Sequence, residues 1–184
     1  MIRVAIVTVS DSVAAGQRSD LGGPACERAL TEAGLEVKFV SRDVLPDERR
    51  EIKALVESKA DSGDVDLLLL TGGTGVAPRD RTPDAIREVI EFEVPGLAEK
   101  MRADTGAELP VAYLSRQVVG VRGATLIVAL PGSPKGASDC LRAIAELLPH
   151  AVALIRGERA KHPTARRGPA NRSGGPCGPA TPRG

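Results

Sequence analysis

Two stretches of this chain are apolar on both faces of an extended strand, and they constrain the fold more than any other feature. Residues 3–10, with Ile2 before them, put Ile2, Val4 and Ile6 on one face and Ala5, Val7 and Val9 on the other. Residues 65–71 contain the run Leu67-Leu68-Leu69-Leu70. A strand apolar on both faces must be covered on both faces, so it belongs in the middle of a mainly parallel sheet flanked by helices.

The segments between these strands carry the helical half of that arrangement. Apolar residues recur at helical spacing over residues 24–33, closed by Gly34, and over residues 46–60, where Ile52, Leu55, Val56 and Ala60 share a face. A further strand is expected at 37–44. Thr82-Pro83 reads as N-cap and first helical residue, and Pro95 opens a helix over 95–103. Residues 118–122 and 124–130, joined at Gly123, read as a hairpin. Ser133-Pro134 opens a last helix, with Leu141, Ile144, Leu148, Val152 and Ile155 in register, interrupted near Pro149 and ended by Gly157. The pattern predicts an α/β fold of three layers: a mostly parallel sheet, helices on both faces, and one antiparallel edge strand.

Composition narrows the partners. The chain has 184 residues, enough for one ordinary domain. One Tyr, two Phe and no Trp leave an aliphatic core and few platforms on which single-stranded nucleic acid would stack, so nucleic acid is not the expected partner. No run of about 18 apolar residues is present, which argues against a membrane span. The start, Met1-Ile2-Arg3-Val4-Ala5-Ile6-Val7, reads as a strand rather than a signal peptide. Cys26, Cys140 and Cys177 are odd in number and far apart, without the spacing of a zinc site or a disulfide framework. A reduced, cytoplasmic protein is expected, with Cys26 and Cys140 as small core residues.

The formal net charge of +1 averages two unlike parts. Residues 158–184 hold six Lys/Arg against one acid, with five Gly and five Pro, and show no apolar period. Residues 1–157 hold 19 basic against 23 acidic groups. We therefore expect a folded, mildly acidic domain over 1–157 and a disordered basic tail over 158–184. The tail is read as a solvated extension, with an arm for polyanions or a protein partner as the alternative.

In open α/β sheets, ligands bind beyond the carboxyl ends of the strands. Four loops at those ends are rich in small and polar residues: Ser10-Asp11-Ser12, Leu45-Pro46-Asp47-Glu48, Thr71-Gly72-Gly73-Thr74-Gly75 followed by Pro78-Arg79-Asp80, and Pro131-Gly132-Ser133-Pro134-Lys135. Parallel strands would bring them to one rim. The glycine-rich loop would turn backbone N–H groups toward an anion, with Thr71 and Thr74 as hydroxyl donors. It is not a Walker A sequence, because no Gly-Lys-Ser/Thr follows. Asp80 reads either as a surface ion-pair partner of its flanking arginines or as a Mg²⁺ ligand beside bound phosphates, and the glycine loop favours the latter. Asp47 and Asp84 fit the first turns of their helices as dipole-complementing acids. Arg116, beside Ser115, would hold a phosphate through its forked donors. His150 and His162 are poorly placed to act as general bases, and no Ser-His or Cys-His pairing supports covalent catalysis.

Taken in order, Thr8-Val9-Ser10-Asp11-Ser12, Leu45-Pro46-Asp47-Glu48, Thr71-Gly72-Gly73-Thr74-Gly75, Pro78-Arg79-Asp80-Arg81-Thr82-Pro83-Asp84, Pro95-Gly96, Leu114-Ser115-Arg116 and Leu130-Pro131-Gly132-Ser133-Pro134-Lys135 resemble the molybdopterin-binding family of molybdenum cofactor biosynthesis, Mog/MoaB type. The resemblance covers about residues 3–157. It implies a molybdopterin adenylyltransferase, in which ATP and molybdopterin are the substrates, Mg²⁺ the cofactor, and adenylylated molybdopterin and pyrophosphate the products. It also implies a homotrimer, and contact with the molybdate-insertion protein. By the same resemblance Asp47 and Asp80 are the essential carboxylates. Thr74, Gly75, Ser115, Arg116 and the loop of Pro131, Gly132, Ser133 and Pro134 lie toward the pterin and its phosphate; Ser10, Asp11, Thr71, Gly72 and Gly73 lie toward the nucleotide. Because the family also includes members without a clear catalytic role, a non-catalytic protein that binds and delivers molybdopterin is the alternative. Phosphoryl-type transfer needs positioning and charge neutralisation more than a side-chain nucleophile, so the lack of a useful His fits either reading.

Overall fold

A computed structural model describes residues 1–158. The expected tail beyond Glu158, with Cys177 and His162, lies outside the described residues.

Strand β1 (Ile2–Val9) leads through a one-turn helix α1 (Asp11–Ala14) into α2 (Gly22–Glu32). Strand β2 (Val37–Leu45), helix α3 (Arg49–Asp61) and strand β3 (Leu67–Thr71) follow. Next come α4 (Thr82–Arg87), the two-residue β4 (Phe92–Glu93), α5 (Pro95–Glu108) and a 3-10 turn over Pro110–Leu114. The chain then forms the hairpin of β5 (Val119–Arg122) and β6 (Thr125–Leu130), followed by α6 (Pro134–Ile144) and α7 (Leu148–Ile155). The strand order is β2-β1-β3-β6-β5-β4. β2, β1, β3 and β6 run parallel, while β5 is antiparallel to both of its neighbours. The expected single reversed strand is therefore β5, with the short β4 outside it.

The two-faced strands produce two cores. Ile2, Val4, Ile6, Leu67, Leu69, Leu126 and Val128 pack under α2, α5, α6 and α7, against Cys26, Leu30, Met101, Leu141 and Val152. Ala5, Val7, Val9, Leu68, Leu70 and Ile127 pack under α3 and α4, against Ile52, Val56 and Ile86. Helices thus cover both faces, and the β1 alternation read from the sequence holds residue by residue. β2 is different. It is an edge strand whose Phe39, Val40 and Val44 are more than a third exposed. Its pairing with β1 shifts register where Phe39 and Ser41 face consecutive residues, so Val40 is an inserted residue that bends the edge.

Boundaries differ where tertiary contacts intervene. α3 starts at Arg49 rather than Pro46, because Asp47 is engaged across the rim and does not join the helix. Thr82 is not an N-cap: it lies inside α4, makes no capping bond, and its hydroxyl is buried without a partner. α5 runs five residues past the expected end, through Gly106, whose missing side chain leaves room for the Tyr113 ring. The last helix breaks as expected, at a 3-10 turn over Ala145–Leu147, which puts Pro149 in the first turn of α7.

The topology places the crevice. β1 leads to α2 on one face, and β3 leads to α4 on the other, so the loops leaving these adjacent parallel strands diverge. Such a switch point is where open α/β sheets hold ligands.

Candidate functional site

Register brings the four loops to one rim. Val9 pairs with Leu45, Thr8 with Thr71, and Thr71 with Leu130, so all four strands end level. The Thr71 hydroxyl donates to the Pro131 carbonyl at 2.7 Å, and the Gly72 amide donates to the Leu130 carbonyl at 3.1 Å. Gly72 (φ +114°) and Gly73 (φ +62°) turn the chain in the left-handed region, and a Cβ on Gly72 would collide with the Val9 carbonyl. The amides of Gly73, Thr74 and Gly75 donate to no other described residue. These donors are what an anion-binding nest requires.

Two carboxylates flank this loop. A Cβ on Gly73 would lie 2.9 Å from Asp47 Oδ1, and one on Gly75 would lie 2.7 Å from Asp80 Oδ2. Asp80 accepts the Ala77 amide at 2.7 Å. Asp47 and Asp11 exchange main-chain bonds: the Asp11 amide donates to Asp47 Oδ2 and the Asp47 amide to Asp11 Oδ1, both at 3.0 Å. Burial, together with the neighbouring charges of Asp11 and Asp80, pushes the Asp47 carboxyl above its ordinary value despite the Asp11 amide and Arg79. The Arg79 guanidinium, with the Asp47 amide, holds Asp11 below the usual carboxylate range.

Beside the loop lies a cavity of about 880 Å³, lined by Gly73, Thr74, Gly75, Val76, Asp80, Ser115, Pro131, Gly132 and Ser133. It continues between α5 and α6, where Asp104, Glu108, Leu109, Val111, Ala112, Leu114 and Asp139 line it. Ser115 and Thr74 hydroxyls meet at 3.3 Å on its wall. The Ser133 hydroxyl caps α6 by accepting the Gly136 amide at 3.2 Å, as the Ser-Pro pair predicts.

The structure thus gathers Thr74, Gly75, Asp80, Ser115, Pro131, Gly132 and Ser133 around the cavity. Ser10, Asp11 and Asp47 stand apart from it, Ser10 capping α1. Thr71, Gly72 and Pro134 support the loops without lining it. Arg116 is placed unexpectedly. Its Nε donates to the Gly75 carbonyl at 2.8 Å, Nη1 pairs with Asp84 at 3.1 Å, and Nη2 bonds the Asp80 carbonyl. Its fork is occupied in holding the glycine loop to α4, and Asp84 is its counter-ion. Arg79 bonds Asp11 through Nε at 2.7 Å and Nη2 at 3.0 Å, and Glu48 at 2.9 Å, rather than the adjacent Asp80.

Sequence reasoning missed Arg79 and Glu48 as members of the site, and the whole far wall of the cavity. The signal available for the wall was Leu109-Pro110-Val111, an apolar cluster after a helix with a polar face.

Among the described residues, no group of three or more His, Cys, Asp or Glu side chains forms a ready metal cage. Mg²⁺ is commonly held by one or two carboxylates with phosphate oxygens and water. Asp47 and Asp80 fit that donor set, because both carboxylates stand against the glycine loop, at Gly73 and at Gly75. Burial pushes the Cys26 thiol up to about 12 and raises Cys140 as well, so both are inert core residues.

Residues 5–150 match the family described as "Probable molybdopterin binding domain". A molybdopterin adenylyltransferase of Helicobacter pylori strain J99 is 37% identical over 156 residues, 85% of this chain and 89% of its own. The molybdopterin adenylyltransferase of Escherichia coli K12 is 38% identical over 143 residues, 78% of this chain and 73% of its own. The crystal structure of a molybdopterin biosynthesis enzyme, MoaB, from Thermus thermophilus superposes with a TM-score of 0.81 at 49% identity, covering 86% of this chain and 98% of that one. A tungsten cofactor synthesizing MoaB from Pyrococcus furiosus superposes at 0.75 with 27% identity, covering 85% and 98%. With its sheet order, its glycine loop between two carboxylates and these likenesses together, the chain belongs to the molybdopterin-binding family of molybdenum cofactor biosynthesis, the family of the molybdopterin adenylyltransferases.

Proposed function

We propose that this protein is a cytoplasmic molybdopterin adenylyltransferase, which joins molybdopterin to the α-phosphorus of ATP and releases pyrophosphate. The observation that carries the reading is the position of the free Gly73, Thr74 and Gly75 amides, with Asp47 and Asp80 against the loop and the cavity opening beside Asp80. The terminal phosphate of molybdopterin sits on the glycine loop with Thr74 and Ser115, its pterin in the cavity, and the triphosphate over Ser10, Asp11 and Asp47.

The amides and hydroxyls orient the attacking phosphate oxygen toward the α-phosphorus, and no residue is needed as a covalent nucleophile. Mg²⁺, when bound with the triphosphate, supplies charge neutralisation there. Asp47 and Asp80 would hold it, and of the two only Asp80 lines the cavity. Fixed donors are worth most where charge develops in the transition state, and this loop is tied down by the Gly72–Leu130, Thr82–Gly73 and Arg116–Gly75 bonds. Residues 1–157 carry the activity.

The protein acts as a homotrimer and hands its product to the molybdate-insertion protein. Light scattering of the purified chain measures the trimer.

The deciding assay is pyrophosphate release from ATP in the presence of molybdopterin and Mg²⁺. Release that depends on both substrates and falls in Asp80→Asn supports the reading. Tight pterin binding without pyrophosphate release would instead mark a binding and delivery protein.

A further inference from the structure

Arg79 is the residue of the rim that neither fold nor family description explains. Its side chain is 59% exposed, where a lone ion pair contributes little. Yet it makes three bonds that join three loops. Nε and Nη2 take both oxygens of Asp11, from the loop after β1, and Nη2 also takes Glu48, from the loop after β2. Arg79 itself stands in the loop after β3, next to Asp80.

Asp11 is the middle of the chain of contacts. One of its oxygens accepts the Asp47 amide, and its own amide donates to the Asp47 carboxylate. Rotation of the Asp11 side chain would release the Asp47 amide and leave Asp47 held only through its carboxylate, by the Asp11 main-chain amide. The other ties of the loop after β2 are main-chain bonds, Ser10 amide to the Leu45 carbonyl at 2.8 Å and Glu48 amide to the Pro46 carbonyl at 2.7 Å, and neither engages the Asp47 side chain; Glu48, the N-cap residue of α3, makes no side-chain capping bond.

We infer that Arg79 is a positioning residue: by clamping Asp11 and Glu48 it fixes the Asp11–Asp47 pair, and so sets where Asp47 stands relative to Asp80 across the glycine loop. The inference rests on the reading of Asp47 and Asp80 as the reacting-site carboxylates. A guanidinium is suited to this task because its planar fork serves two carboxylates at once, whereas an ammonium supplies the same charge without that geometry.

The test uses the full chain with Arg79→Ala, Arg79→Lys, Asp11→Asn and the Arg79→Ala/Asp11→Asn double variant. Pyrophosphate release is measured while ATP and molybdopterin are varied separately, and amide hydrogen exchange is followed at Asp11 and Asp47. Arg79→Ala is expected to lower kcat about tenfold or more with the molybdopterin KM within about twofold, because the cavity is untouched. Arg79→Lys does not restore kcat. The double variant is no worse than the poorer single variant, since both break one clamp. Both amides exchange faster in Arg79→Ala than in the parent protein.

Full restoration by Lys, losses that multiply in the double variant, or unchanged exchange at both amides overturns the inference. Should Arg79→Ala fail to fold, Arg79→Lys and Asp11→Asn carry the same comparison. If the parent chain releases no pyrophosphate, the functional reading fails, and the exchange measurement still decides the clamp.

Discussion

Asp11 and Asp47 hold each other by their main chains, amide to carboxylate in both directions at 3.0 Å, across the ends of two parallel strands. The arrangement leaves Asp47 partly desolvated beside two other carboxylates, and its proton affinity rises accordingly. The share of free protein with Asp47 ionised therefore falls as pH drops through a value above about 3.9, the ordinary aspartate figure, and that limb is read in kcat/KM, which reports the free enzyme. Asp47→Asn should cut turnover about a hundredfold and remove that acid limb, as read from the pH dependence of pyrophosphate release. An unchanged limb in the variant would assign it to another group.

The glycine loop separates stability from activity at two nearby positions. At Gly73 an added Cβ would stand 2.5 Å from Thr82 Oγ1, on a backbone with φ +62°. Gly73→Ala should cost about 1–3 kcal/mol in denaturant unfolding and abolish activity. At Gly75 the obstacle is the Asp80 carboxylate alone. Gly75→Ala should change stability by less than about 1 kcal/mol while lowering turnover as Asp80→Asn does.

The cavity can be filled without touching the carboxylates. Ala112 lines its far wall, on the 3-10 turn between α5 and β5. Ala112→Trp should raise the molybdopterin KM about tenfold and leave the ATP KM unchanged, as initial rates with each substrate varied will tell. An effect on ATP instead would place the nucleotide in the cavity.

At the opposite end of the sheet, Asp66 is 1% exposed and accepts the Arg3 amide at 2.7 Å, Arg3 Nη2 at 2.8 Å and Arg156 Nε at 3.1 Å. Burial alone would push its carboxyl up, but the Arg3 and Arg156 bonds outweigh it and hold the group well below the usual range. A depressed folded value means that the stability it contributes is present above about pH 3.9, the unfolded value, and is lost as pH falls below that. Asp66→Asn should cost about 2–3 kcal/mol at neutral pH and flatten the acid side of the stability curve, measured by urea unfolding between pH 6 and 2. A parallel curve in the variant would rule Asp66 out as the acid-sensitive group.

Much of the architecture was legible because burial on two faces leaves a periodic record. β1 and β3 could only be central strands, and the helices between them carried the matching apolar stripes. Ser133 read correctly as a cap because capping is a contact over three residues. Thr82 followed the same local rule and failed it, since packing beneath Gly73 drew it inside α4. Arg116 looked like a phosphate ligand because a lone Arg beside a Ser carries no record of its partners. Asp84, whose place in a helix had suggested only a dipole-complementing acid, supplies one of them.

Local periodicity and short ordered motifs were enough to read the layered α/β class, the four polar loops that meet beyond the strand ends, and the family. Which loop residues face the cavity, which arginine ties the loops together and where α3 begins depend on contacts between distant residues. Arg79 and Asp11 are 68 positions apart, and Arg116 and Gly75 are 41 apart. Their pairing follows from the order β2-β1-β3-β6, which brings distant loops side by side and leaves no trace in local sequence.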